Sequence, residues 1–147
     1  MSRAFVKESS GAAPPPERMI EDGPNPVTPQ GLAQIEAHVA RLETALAGET
    51  NVLLRETLAR DLRYWSQRKA SAELVPPAPG GKAAFGTTVG IARDGRRQTF
   101  RIVGVDEADA AKGLVSFRSP LARAVIGAEP GDIIESPLGE ITVLTVE

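Results

Sequence analysis

Cysteine is missing from this 147-residue chain, and histidine occurs once. Disulfides, thiolate metal sites and cysteine nucleophiles are thereby excluded, and a zinc site lacks its usual ligands. Aromatic residues make up only 4% of the chain. The core must therefore be filled by Val, Ile, Leu and Ala, which pack well but offer few flat faces for stacking bases or ligand rings. No apolar run approaches the roughly 18 residues of a membrane helix, and Met1 to Glu8 lead into no apolar segment of signal-peptide type. A soluble, cytoplasmic protein without membrane contacts is expected. The formal net charge of −2 exerts no overall pull on nucleic acid, so autonomous DNA or RNA binding is disfavoured and any such contact would rest on a local patch.

What is present divides the chain by composition. Residues 1–27 carry Pro14-Pro15-Pro16 and Gly23-Pro24-Asn25-Pro26 with few apolar positions, too few to offset the entropy of ordering, and read as a flexible arm. Phe5-Val6 and Met19-Ile20 are its small apolar anchors. At Thr28-Pro29 the pattern becomes helical, with Thr28 a good N-cap and Pro29 at the favoured first position. Leu32, Ile35, Val39, Leu42 and Leu46 then recur at alternating spacings of three and four, a two-position heptad seam.

Gly48 stops this helix, and Leu54, Leu58, Leu62 and Trp65 begin a second apolar stripe. An antiparallel helical hairpin over 28–74 is expected, each arm about 18–22 residues long. The short loop from Gly48 to Asn51 favours pairing within one chain, hence a monomer. Charges alternate along the arms, as on a solvated face with pairs such as Glu56 to Arg60. Arg60, Arg63, Arg68 and Lys69 crowd the second arm and could instead face phosphates or an acidic groove. His38 reads as an exposed or half-buried helix residue without a catalytic partner.

Residues 75–83, with Pro76, Pro77, Pro79, Gly80 and Gly81, deny regular structure and read as a linker. Beyond them the hydrophobic period falls to two. Thr88 to Ile91 and Thr99 to Val105 form strands around an Asp94-Gly95 hairpin turn, followed by an acidic loop, Asp106-Glu107-Ala108-Asp109. Further strands are expected at Leu114 to Phe117, Ile133 to Ser136 and Ile141 to Val146. A short helix lies between, capped by Ser119, opened by Pro120 and stopped by a left-handed Gly127. The class is α+β: a helical hairpin, then an antiparallel sheet domain over 84–147 with one short helix.

Four stretches of this last domain together resemble the Gre family of bacterial transcription elongation factors. They are Phe85-Gly86-Thr87-Thr88-Val89, Phe100-Arg101-Ile102-Val103-Gly104 followed by Asp106-Glu107-Ala108-Asp109, Ser119-Pro120-Leu121-Ala122-Arg123-Ala124, and Gly131-Asp132. They occur in the family's order and spacing, and Thr28 to Leu32 is similar to the start of its first helix. The resemblance implies an N-terminal coiled coil and an FKBP-like C-terminal domain that grips the rim of the RNA polymerase secondary channel. It places the docking surface at Ser119, Pro120 and Arg123, with Asp106, Glu107 and Asp109 as nearby candidates. Nucleic acid would be met only indirectly, through the polymerase.

In the family's cleavage factors, acidic residues at the coiled-coil tip help hold a second Mg²⁺ in the polymerase's own active site. The tip here, with Glu49 and Asn51, keeps one carboxylate, and the arms are several turns shorter than the family's. Transcript cleavage is therefore not expected, nor any catalytic residue, metal or cofactor belonging to the chain itself. In length the chain is similar to Rnk-like relatives, which makes regulation of nucleoside diphosphate kinase, or competition with Gre factors, the alternative function. An FKBP-like fold also raises peptidyl-prolyl isomerase activity. That needs an aromatic-lined pocket, whereas Phe85, Phe100 and Phe117 occupy strand or strand-edge positions suited to core packing.

Overall fold

The computed structural model describes residues 13–147; the anchor Phe5-Val6 lies outside them. Two units result, one of residues up to Gly23 with Ile35–Ser71, the other of Pro24–Gln34 with Ala72–Glu147.

The first unit is the expected hairpin, built from α1 (Pro29–Gly48), from Ile35 onward, and α2 (Val52–Ser71). Ile35, Val39 and Leu42 of the seam are buried, whereas Leu58, Leu62 and Trp65 of α2 are half-buried and Leu54 is exposed. His38 stacks on Trp65 with ring centroids 4.1 Å apart and 15° between planes, and Tyr64 meets Trp65 edge-on. A few aromatic rings thus replace a continuous leucine zipper. At the turn Asn51 Oδ1 accepts the Leu54 N–H at 3.0 Å and caps α2. Arg55 closes the loop by donating to the carbonyls of Leu46 and Glu49 at 2.8 and 2.7 Å.

The basic residues of α2 are mostly engaged. Arg60 pairs with its neighbour Asp61 at 3.0 Å, not with Glu56, Arg63 pairs with Glu17, and Arg68 is buried. The hydrogen bond from Arg63 holds the Glu17 carboxyl below its ordinary range, ahead of the opposing desolvation and the added attraction of the same cation. Arg18 lies 3.8 Å over the Tyr64 ring. Part of the expected flexible arm is therefore held by charge and cation–π contacts. Met19 is 91% exposed.

In the second unit the elements depart from the expected bounds. Asn25–Val27, placed by composition in the arm, form β1, and Ala72–Leu74, placed at the end of the hairpin, form β2; the two pair in parallel. Pro26 has no N–H to give a ladder, but Asn25 and Val27 on either side of it are buried, so the period-two pattern survives at its minimum length. Gly104 makes the approach possible, since a Cβ there would lie 2.6 Å from the Pro26 carbonyl oxygen. The assigned linker also ends in the core: Ala83 is buried and exchanges backbone bonds with Gly127 and Ala128 at 2.7 and 2.8 Å.

The main sheet has five strands, β3 (Thr88–Arg93), β4 (Arg96–Val103), β5 (Leu114–Ser116), β6 (Ile133–Ser136) and β7 (Gly139–Val146), in the order β5-β4-β3-β7-β6. It is mixed, not wholly antiparallel as expected, because β5 runs parallel to β4. The 3₁₀ turn at Ala110–Lys112 belongs to the excursion between them. Val89, Ile91, Phe100, Ile102, Ile141 and Val143 fill one face of the sheet, and α3 (Pro120–Val125) covers it with Ala122 and Val125. Phe85 and Phe117 pack edge-to-face against this core at 5.9 Å.

Candidate functional site

A six-residue helix has no stability of its own, and α3 is fixed at both ends. Ser119 adopts an extended backbone and its hydroxyl accepts the Ala122 N–H at 3.2 Å, with Pro120 at the first turn. At the other end Ile126 donates to Ala122, and Gly127, with φ of 93°, turns the chain back to Ala83. The inward positions Ala122 and Val125 are fully buried, so Pro120, Arg123 and Ile126, at successive spacings of three, form the outward face. Among the described residues Arg123 makes no ion pair. Ile126 is 45% exposed and Ile133, on the neighbouring β6, 64% exposed.

The expected site residues are thus sorted by the fold. Ser119 is a cap whose hydroxyl is engaged, while Pro120 and Arg123 are displayed. Asp109 is exposed and caps the 3₁₀ turn, accepting the Ala111 N–H at 3.2 Å. Asp106 is half-buried. Glu107, the third acidic docking candidate, is 8% exposed and accepts a hydrogen bond from the Thr28 hydroxyl at 2.5 Å. That same hydroxyl accepts the Gly31 N–H at 2.9 Å. A side chain at position 31 would collide with the carboxylate, because a Cβ there would lie 2.7 Å from its Oε1.

Replacing Glu107 by Ala strands the buried Thr28 hydroxyl and is expected to cost about 1–3 kcal/mol, or roughly 2–10 °C in Tm for a chain of this size. Glu107→Gln, which keeps an acceptor, should recover most of the loss. Thermal unfolding of the two variants checks this, and equal losses would show that the charge, not the acceptor, matters.

Composition does not mark Ile126 and Ile133 as surface residues, yet for the first of them a signal exists. Val125 and Ile126 are consecutive, and on a short helix lying on a sheet only one of two neighbours can face the core.

At the hairpin tip, Glu49 and Asn51 both lie in the turn, and one Glu49 carboxylate oxygen accepts the Asn51 N–H at 3.0 Å. Glu49 is the sole carboxylate from Ala47 to Leu54. Val52, Leu53 and Leu54, next along the chain, are exposed by 70%, 45% and 52%. Among the described residues no group of three or more His, Asp or Glu side chains is placed to hold a metal ion, and no helix is long and apolar enough to cross a membrane.

Comparisons with known proteins bear on the domain that carries α3. The family described as "Transcription elongation factor, GreA/GreB, C-term" matches residues 78–147. Transcription elongation factor GreB of Neisseria meningitidis Z2491 is 43% identical over 96 residues, covering 60% of this chain and 59% of that protein. Transcription elongation factor GreA of Pseudomonas putida KT2440 is 34% identical over 116 residues, covering 76% and 68%. A solved GreA/GreB structure from Nitrosomonas europaea aligns over 85% of this chain and 98% of that one at 20% identity, with a TM-score of 0.40. The chain spans less than two thirds of the GreB relative's length.

Proposed function

The chain belongs to the GreA/GreB family, and on that premise we propose that it regulates transcription elongation by binding RNA polymerase through the outward face of α3, without stimulating transcript cleavage. The observation that carries the docking half is the fixed Arg123, without an ion pair among the described residues, between exposed Pro120 and Ile126, inside the segment the family description matches. A cation flanked by apolar surface suits a large acidic or mixed partner surface, where complementarity sets encounter rate and register.

The donor set at the tip supports the second half. A divalent cation of the Mg²⁺ class is drawn from water by one or two carboxylates aided by further oxygen ligands. Glu49 stands alone, and one of its oxygens is already engaged with the turn. The tip therefore does not fit a metal-recruiting role, and Val52, Leu53 and Leu54 make it apolar instead.

A backtracked elongation complex, incubated with the protein alone and together with a cleavage-competent Gre factor, tests both halves. The expected result is no added cleavage from the protein alone and a dose-dependent loss of the active factor's cleavage through competition for polymerase. Failure to co-purify with core polymerase would remove the docking half. Cleavage matching the active factor would remove the other.

A further inference from the structure

The distal end of the β3–β4 hairpin carries Arg93, Arg96 and Arg97 around the Asp94-Gly95 turn. Asp94 and Gly95 adopt φ of 52° and 73°, the two left-handed positions of a tight hairpin turn. The ladder of β3 to β7 stops at Ala92, and that of β4 to β5 begins only at Arg101. Beyond Ala92 the ribbon leaves the β7 ladder, while β7 runs on to Gly139 in its own hairpin with β6, and Arg96, Arg97, Gln98 and Thr99 are exposed.

Within this end, Arg93 and Arg96 sit directly opposite each other in the register, and Arg97 opposes Ala92. Like charges placed opposite on adjacent strands destabilise a sheet, so the fold gains nothing from the pair. Three guanidinium groups stand against one carboxylate, Asp94, on a chain whose net charge is −2. Among the described residues none of the three arginines makes an ion pair, in contrast to Arg60 and Arg63 of α2. Arg93, Arg96 and Arg97 line one open depression with Asp94 and Gln98.

We propose that this hairpin end is a direct, sequence-independent contact for the phosphate backbone of double-stranded DNA. Clustered arginines bind phosphates bidentately and are hydrated weakly enough to shed water on contact. Binding of single strands relies on aromatic platforms for the bases, and this ribbon end carries none: Phe100, the first aromatic along β4, is buried in the core. What remains is backbone neutralisation, the sequence-independent part of duplex binding. The contact departs from the expectation that nucleic acid is met only through the polymerase. It also does not depend on the polymerase-docking proposal, because it can be measured with free DNA.

The test is fluorescence anisotropy of a labelled blunt DNA duplex titrated with the full chain at several salt concentrations. Three neutralised phosphates predict a slope of log K against log salt of about −2.7, or roughly a 40-fold loss between 50 and 200 mM. Replacing Arg93, Arg96 and Arg97 together by Ala should weaken binding at 50 mM salt by at least about tenfold and flatten the slope. The corresponding triple Lys variant, which keeps the three charges, should retain the slope. Arg97→Glu alone, at an exposed strand position opposite Ala92, gives the same direction of change should the triple Ala variant fail to fold. Arg123→Glu should bind DNA as the parent does, which separates this site from α3. No binding by the parent chain at 50 mM salt, unchanged binding by the folded Ala variant or by Arg97→Glu, loss of binding by Arg123→Glu, or tighter binding of single-stranded RNA would each overturn the proposal.

Discussion

Truncating Phe100 to Ala is expected to lower stability by about 3–5 kcal/mol, a large share of the roughly 5–15 kcal/mol available to a domain. Phe100 heads the fully buried side chains by volume at 1% exposure, and lies opposite Val89 in the register of β3 and β4. The other buried members of the cluster are all smaller, and Phe85 and Phe117, packed against it, are only partly buried. The buried side chains that share the cluster are Val, Ile and Ala, several of them β-branched and stiff. The cavity therefore stays open, and its cost adds to the lost transfer free energy. Urea unfolding should show a lower midpoint at an unchanged slope. Phe100→Leu, which keeps most of the volume, should lose less than half as much. A loss below about 1 kcal/mol for the Ala variant would mean that the core collapses around the gap.

The consequence reaches the surface because Ala122 and Val125, the inward face of α3, belong to the same cluster as Phe100. A helix of six residues is held by its end contacts and by what it rests on. If α3 is the docking face, loosening the core beneath it should lower affinity for polymerase in the Phe100→Ala variant even at temperatures where the sheet persists.

The parts of this architecture that are legible in the sequence are those with a strong local signal. Alternating apolar residues from Thr88 onward, the Asp94-Gly95 turn, and the Ser119-Pro120 cap each fix a backbone conformation within a few residues. The parts that stay hidden depend on residues far apart in the chain. Asn25–Val27 looks like a polar, proline-rich arm until Gly104, nearly eighty positions later, is seen to admit the Pro26 carbonyl. Glu107 stands in an acidic loop of otherwise ordinary surface residues, and only its meeting with Thr28 reveals it as the acceptor that helps fix the start of α1. The parallel course of β5 is hidden for a similar reason, since three residues do not show their direction against β4. Charge is the least legible property. Arg60, Arg63 and Arg68 look like a basic face in the sequence and are mostly engaged, while Arg93, Arg96 and Arg97, split by a turn, show themselves as a patch only once the hairpin brings them together.

Reversing the charge at Arg123 should separate docking from folding. Arg123 is exposed on the outward face of α3 and makes no ion pair among the described residues, so Arg123→Glu breaks no ion pair and, in the last turn of the helix, should change stability by no more than about 1 kcal/mol. If α3 is the docking face, the new carboxylate meets the partner groups that formerly faced a cation, and affinity for core polymerase should fall at least about tenfold, equivalent to roughly 1.4 kcal/mol. The loss should shrink as salt is raised, because a charge at the edge of an interface is screened. Ile126→Ser, on the same face, should weaken binding by a salt-independent amount, since it removes apolar contact area and no charge. Affinity measured by surface plasmon resonance across a salt series distinguishes the two variants. Unchanged binding by both, with unfolding midpoints matching the parent, would place the interface on another surface of the chain.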